Sequence, residues 1–96
     1  MRTFYSEYVQ HRMRFYARHA NPKFRSDADK KNWFACDSAL KGFTDKEREM
    51  LLTIYRERDT IPDNIYNLSV SLEIKQDILW KLVNELERKV AKRRGL

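Results

Sequence analysis

An all-α fold, a compact bundle of about five helices, is what this sequence predicts, and three features predict it. Only two glycines and two prolines punctuate the 96 residues, so sharp breaks are few and long helices with short connections follow. Apolar residues recur at spacings of three and four, and no stretch alternates with the period of two that a half-buried strand needs. The run Thr44-Asp45-Lys46-Glu47 has the spacing of a capping box, Thr at the N-cap and Glu three residues on. With 42% hydrophobic side chains the chain has the size of one domain over residues 1–96, divided into an N-terminal helical pair (1–42) and a three-helix unit (43–96).

The first helix is predicted over about residues 3–18, where Tyr5, Val9, Met13 and Tyr16 form an apolar stripe with Phe4, Tyr8 and Phe15 beside it. Asn21-Pro22 then marks a turn. The second helix starts with Ser26 or Asp27 as N-cap and runs to Leu40, burying Trp33, Phe34, Cys36 and Leu40 before Gly42 ends it. A third, from Thr44 to about Arg58, buries Met50, Leu51, Ile54 and Tyr55. Asp59-Thr60-Ile61-Pro62 links it to a fourth, with Pro62 in the first turn and an end near Leu72. From Lys75 to about Arg93 a last helix, about 28 Å long at 1.5 Å per residue, carries Ile78, Leu79, Leu82, Val83, Leu86 and Val90 on one face.

Composition excludes several functions. The apolar runs fall far short of the roughly 20 residues that span a bilayer, and Arg2, Glu7 and Gln10 interrupt what a signal peptide would need, so a soluble, cytoplasmic protein is expected. The single cysteine, Cys36, cannot form an internal disulfide, and with two histidines it gives no metal-ligand spacing. Neither a metal nor another cofactor is expected. No glycine-rich phosphate loop, nucleophile elbow or paired metal ligands are present, so the chain reads as a non-enzyme.

The net charge of +6 points to an anionic partner, and its distribution narrows where that partner could bind. Residues 1–26 hold six basic and one acidic side chain, residues 27–87 nine and thirteen, and residues 88–96 five and none. Positive charge therefore sits at the two ends, and a nucleic-acid surface would draw mainly on them. Two solvated basic termini on an ordinary protein would give the same totals.

Residues 68–82 carry the pattern of a helix-turn-helix. That motif needs a small residue where two helices cross closely, an apolar residue closing the first helix, a tight turn, and apolar positions docking the second helix while its other face stays free. Ser69 supplies the small residue, Leu72 the closure, Glu73 the turn, Ile74 the anchor, and Leu79 and Leu82 the docking positions.

Together with the opening Thr44-Asp45-Lys46-Glu47-Arg48-Glu49 and the following Met50-Leu51-Leu52, this stretch resembles the C-terminal helix-turn-helix domain of bacterial sigma factors and the small regulators of phages and mobile elements that share it. The likeness runs from Phe43 to about Lys92. It implies that the helix starting near Lys75 lies in the DNA major groove, and that the protein binds double-stranded DNA sequence-specifically and regulates transcription. RNA polymerase or a second copy of the chain are its candidate protein partners. It also places Glu73 where the family carries glycine, so Glu73 is expected to be left-handed.

Lys75, Gln76, Trp80, Lys81 and Asn84 are the base-reading candidates, since Lys pairs with guanine acceptors and Gln or Asn with adenine. Trp80 could instead pack on the aromatic first helix, and Asp77 could accept from cytosine or simply complement the helix dipole. Arg88, Lys89, Lys92, Arg93 and Arg94 are the candidates for gripping phosphate, or a solvated helix end. Arg12, Arg14, Arg18, Lys23 and Arg25 form a second basic group near Tyr and Phe, where single-stranded bases could stack or the rings could be core. The alternative to a DNA reader is a non-catalytic interaction or assembly module that uses the aromatic N-terminal helix to bind a partner or form a dimer.

Overall fold

Three of the helices begin where a side chain receives an otherwise unpaired amide. The computed structural model describes residues 6–19, 24 and 26–95, and every regular element among them is an α-helix: α1 (Ser6–Arg18), α2 (Asp27–Leu40), α3 (Asp45–Arg56), α4 (Ile61–Leu72) and α5 (Gln76–Arg93). Ser26 Oγ accepts from the Asp29 amide and caps α2. The capping box is complete at α3, where the Glu47 amide donates to Thr44 Oγ1 at 3.2 Å and the Thr44 amide donates to Glu47 Oε1 at 2.9 Å. Thr60 caps α4 through the Asp63 amide, with Pro62 in the first turn. Phe4, Tyr5, the Asn21-Pro22 turn, Lys23 and Arg25 lie outside the described residues.

The long helix α5 packs against all four others, and one apolar core draws residues from all five helices. Leu79, Leu82, Val83, Leu86 and Val90 of α5 meet Val9 and Met13 of α1, Cys36 and Leu40 of α2, Leu51 and Ile54 of α3, and Ile61 and Ile65 of α4. At its centre the hydroxyl of fully buried Tyr55 donates to Glu87 Oε2 at 2.9 Å, tying α3 to α5. Burial above all, then the Glu87 carboxylate, pushes that hydroxyl well above its ordinary range.

Helix α3 stops at Arg56, two residues before the sequence expectation, and its last carbonyls are met from outside. From α1, Arg14 donates to the carbonyls of Glu57 (2.7 Å) and Asp59 (2.6 Å), and Arg18 to those of Arg56 and Glu57 (both 3.3 Å). From α4, buried Asn64 Nδ2 donates to the carbonyls of Ile54 (2.8 Å), Asp59 (3.1 Å) and Glu57 (3.2 Å). Helix α1 is joined to α2 by Tyr8 to Asn32 (2.8 Å) and Tyr16 to Asp37 (2.7 Å).

Four apolar residues that the sequence placed inward are not fully buried. Phe34 is 49% exposed and Trp33 half-buried, because α2 turns Asn32, Ala35, Cys36, Ala39 and Leu40 inward and Phe34 falls midway between Asn32 and Cys36 on the outer side. Ile78, 50% exposed, sits about 100° around α5 from Leu79, outside the buried stripe. Leu72, the last residue of α4, is also largely exposed, and half-buried Leu68 and Ile74 pack against the core at that corner instead.

Two outcomes follow. Asn64→Ala removes the donor shared by three α3-end carbonyls and should lower stability by about 1–3 kcal/mol in denaturant melts. Burial raises the Cys36 thiol to about 12, against about 8.5 in an unfolded chain. Between those values the unfolded state has released a proton that the folded state keeps, so this group's contribution is full below about pH 8.5 and declines as pH rises towards 12. The stability advantage of the parent over Cys36→Ala should therefore shrink between pH 7 and pH 10, and thiol reagents should label the native protein only through unfolding.

Candidate nucleic-acid interface

The geometry of the C-terminal half is set by the corner between α4 and α5. Glu73 is left-handed (φ 55, ψ 44), the only non-glycine with positive φ among the described residues. The Ile74 amide donates to the Ser69 carbonyl at 3.0 Å and the Glu73 amide to the Val70 carbonyl at 3.4 Å, the two bonds of a Schellman motif. Its hydrophobic clasp is supplied by Leu68 and Ile74, both packed on the core. Ser69, 7% exposed, returns its hydroxyl to the Tyr66 carbonyl at 2.7 Å, leaving no polar group loose where α4 meets its neighbours. Lys75 is extended and leads into α5 without a side-chain cap.

Lys75, Gln76, Asp77 and Lys81 stand exposed at the start of α5: Asp77 and Lys81 on the side away from buried Leu79, Lys75 and Gln76 at the helix's open end. Asn84, one turn on from Lys81, is also exposed, and Trp80 is half-buried. Both line a cavity of about 810 Å³ that also includes Ser6, Gln10 and Arg14 of α1 and Ile61 of α4. The indole is half-buried against the core and borders the cavity it shares with α1. Tyr66, Val70, Leu72 and Ile78 surround the corner with exposed apolar surface that the sequence reading placed differently or did not single out.

The basic tail divides between two faces. Arg88 and Lys92 are exposed and continue the stripe of Lys81 at spacings of seven and eleven residues. The other three cations turn to α2 and the loop after it. Lys89 Nζ lies 4.7 Å from the Phe43 ring centre and 3.5 Å from Glu85. Arg93 Nε donates to Ser38 Oγ at 3.0 Å, and Arg94 Nε to Asn32 Oδ1 at 2.6 Å.

The described members of the second basic group, Arg12, Arg14 and Arg18, are engaged within the fold. Arg14 and Arg18 cap α3, while Arg12 sits 5.1 Å from the Tyr8 ring centre and 3.8 Å from Asp29. Burial would raise the Tyr8 hydroxyl, but hydrogen bonds and charge from Arg94 and Arg12 outweigh it and lower it. The aromatic rings of α1 are similarly committed: Tyr8 and Tyr16 are half-buried and bonded to α2, and Phe15 stacks on His19 at 4.3 Å. Nothing in the sequence flagged the capping roles of Arg14, Arg18 and Asn64, which depend on where α3 ends in space.

Fold and corner together define an all-α five-helix bundle whose last two helices are joined through a tight left-handed turn. Comparison with protein-family models, curated proteins and solved structures finds no match to this chain. Among the described residues no group of three His, Cys, Asp or Glu could hold a metal ion, and no helix is long and apolar enough to cross a membrane.

Because Glu73 carries a Cβ in a left-handed conformation, Glu73→Gly should relieve about 1–2 kcal/mol of local strain against about 0.4–1 kcal/mol of added unfolded-state entropy. The expected outcome is a neutral to slightly raised midpoint in urea, with Glu73→Val clearly lower.

Proposed function

We propose that the protein binds DNA sequence-specifically as a transcriptional regulator, laying the first half of α5 in the major groove. The observation that carries this is Lys81, exposed on the side of α5 opposite Leu79, together with Lys75 and Gln76, exposed at the N-terminal end of the same helix. A major groove about 12 Å wide admits one helix, and it displays acceptors on guanine for Lys and a donor–acceptor pair on adenine for Gln. The rigid corner at Glu73 supports the reading, since base contacts need a helix held at a defined angle to the rest of the domain.

Phosphate contacts fall to Arg88 and Lys92, which share the Lys81 stripe. Lys89, Arg93 and Arg94 face α2 and are left out of that surface. Asp77 in the first turn complements the helix dipole.

The test compares affinity for a duplex selected from a random pool with affinity for its scrambled version, at several salt concentrations. Lys75→Ala/Gln76→Ala/Lys81→Ala should close the gap between the two duplexes, with roughly 1–3 kcal/mol lost per base contact. Arg88→Ala/Lys92→Ala should weaken both duplexes alike and flatten the salt slope by about one per contact. A triple variant that discriminates as well as the parent, or a parent that binds no duplex at low salt, overturns the reading.

A further inference from the structure

We propose that the groove between the outer face of α2 and the end of α5 docks an acidic peptide segment of a partner protein, carrying one aromatic or aliphatic anchor. The groove holds about 500 Å³ and is lined by Lys30, Lys31, Phe34, Arg93 and Arg94, with Asp27 as its one carboxylate. Four cations therefore ring an apolar floor. Phe34 is half exposed there, and Trp33 and Phe24 pack on it at 5.2 and 6.2 Å between ring centres, which holds the ring in place as a platform.

The arginines are positioned in advance. The hydrogen bond from Arg93 Nε to Ser38 sets the plane of its guanidinium without using the two terminal nitrogens, the pair that grips a carboxylate in bidentate fashion. Arg94 is anchored more deeply, through Asn32, a 4% exposed side chain that also accepts from Tyr8. A ligand with separated carboxylates around an apolar side chain matches this pattern of charge, and its carboxylates can be spaced to avoid Asp27. A continuous phosphate chain offers no such gap.

The choice of a peptide over a nucleic acid rests on the DNA reading above. Arg93 and Arg94 are rotated by about 100° and 200° from Lys92 around α5, so a duplex held on the Lys81, Arg88 and Lys92 stripe leaves this groove open. The two surfaces can then be occupied together.

The experiment titrates the full chain with a synthetic twelve-residue peptide of Glu and Ser bearing one central Phe, followed by backbone amide shifts. Expected are shifts confined to residues 27–38 and 93–94. Affinity should fall about tenfold or more in Phe34→Ser and in Lys30→Glu/Lys31→Glu, with helix content unchanged by circular dichroism; loss of a central aromatic anchor has that scale. It should fall likewise for peptides with Gln in place of Glu or Ala in place of Phe. The proposal is overturned if the Phe peptide gives no shifts, if either variant binds undiminished, if the Ala-bearing peptide binds as well, or if ten-residue oligothymidylate binds the groove more tightly. A selected duplex that displaces the peptide also overturns it while leaving DNA binding intact. Peptide binding by a chain that binds no duplex would remove the DNA reading and keep the groove.

Discussion

The carbonyl end of α3 is the constraint on which the rest of the structure depends. An α-helix leaves its last four carbonyls without internal partners, and α3 ends at Arg56 with no glycine to reverse the chain and meet them. Two guanidiniums from α1 and one amide from α4 converge there instead, on the carbonyls of Ile54 and Arg56 and on those of Glu57 and Asp59 just beyond the helix. Because donors come from both sides in sequence, this one cluster joins the N-terminal pair to the three C-terminal helices. It also fixes the angle at which α4 leaves α3. The buried Tyr55–Glu87 hydrogen bond then sets how α3 lies on α5.

With its N-terminal end held by Asn64 and its C-terminal end closed by the Schellman bonds at Glu73, α4 has little freedom to tilt. Its neighbour α5 is buried along one side over most of its length and packs on every other helix. A side chain placed on the exposed stripe of α5 is thus carried by the whole core. That is the physical condition for a surface that discriminates among ligands by geometry as well as by charge.

The same packing sorts the cations. Twenty Lys and Arg side chains suggest a broadly basic molecule, but several are used to complete helix ends or to bridge helices. Two groups of cations lie on different faces: Lys75, Lys81, Arg88 and Lys92 are exposed along α5, while Lys30 and Lys31 stand with the helix-bridging Arg93 and Arg94 beside Phe34. The two groups therefore do not share charges.

Where structure is decided by groups a few residues apart, it was legible in the sequence. The Thr44–Glu47 capping box, the cap at Ser26, Pro62 in the first turn of α4, the five helices, and the docking side of Leu79 and Leu82 all follow from local hydrogen bonding and a period of 3.6. The left-handed Glu73 came from a resemblance, and no residue type at that position would have announced it. Tertiary structure alone decided that Phe34 and Ile78 face solvent, that Trp80 borders the cavity it shares with α1, that Arg14 and Arg18 cap α3, and that Arg93 and Arg94 part from Arg88 and Lys92. Each of these depends on which helix lies opposite. An apolar or charged side chain looks the same in sequence whether its neighbour is water, a carbonyl or another helix, and that neighbour exists only once distant segments have packed.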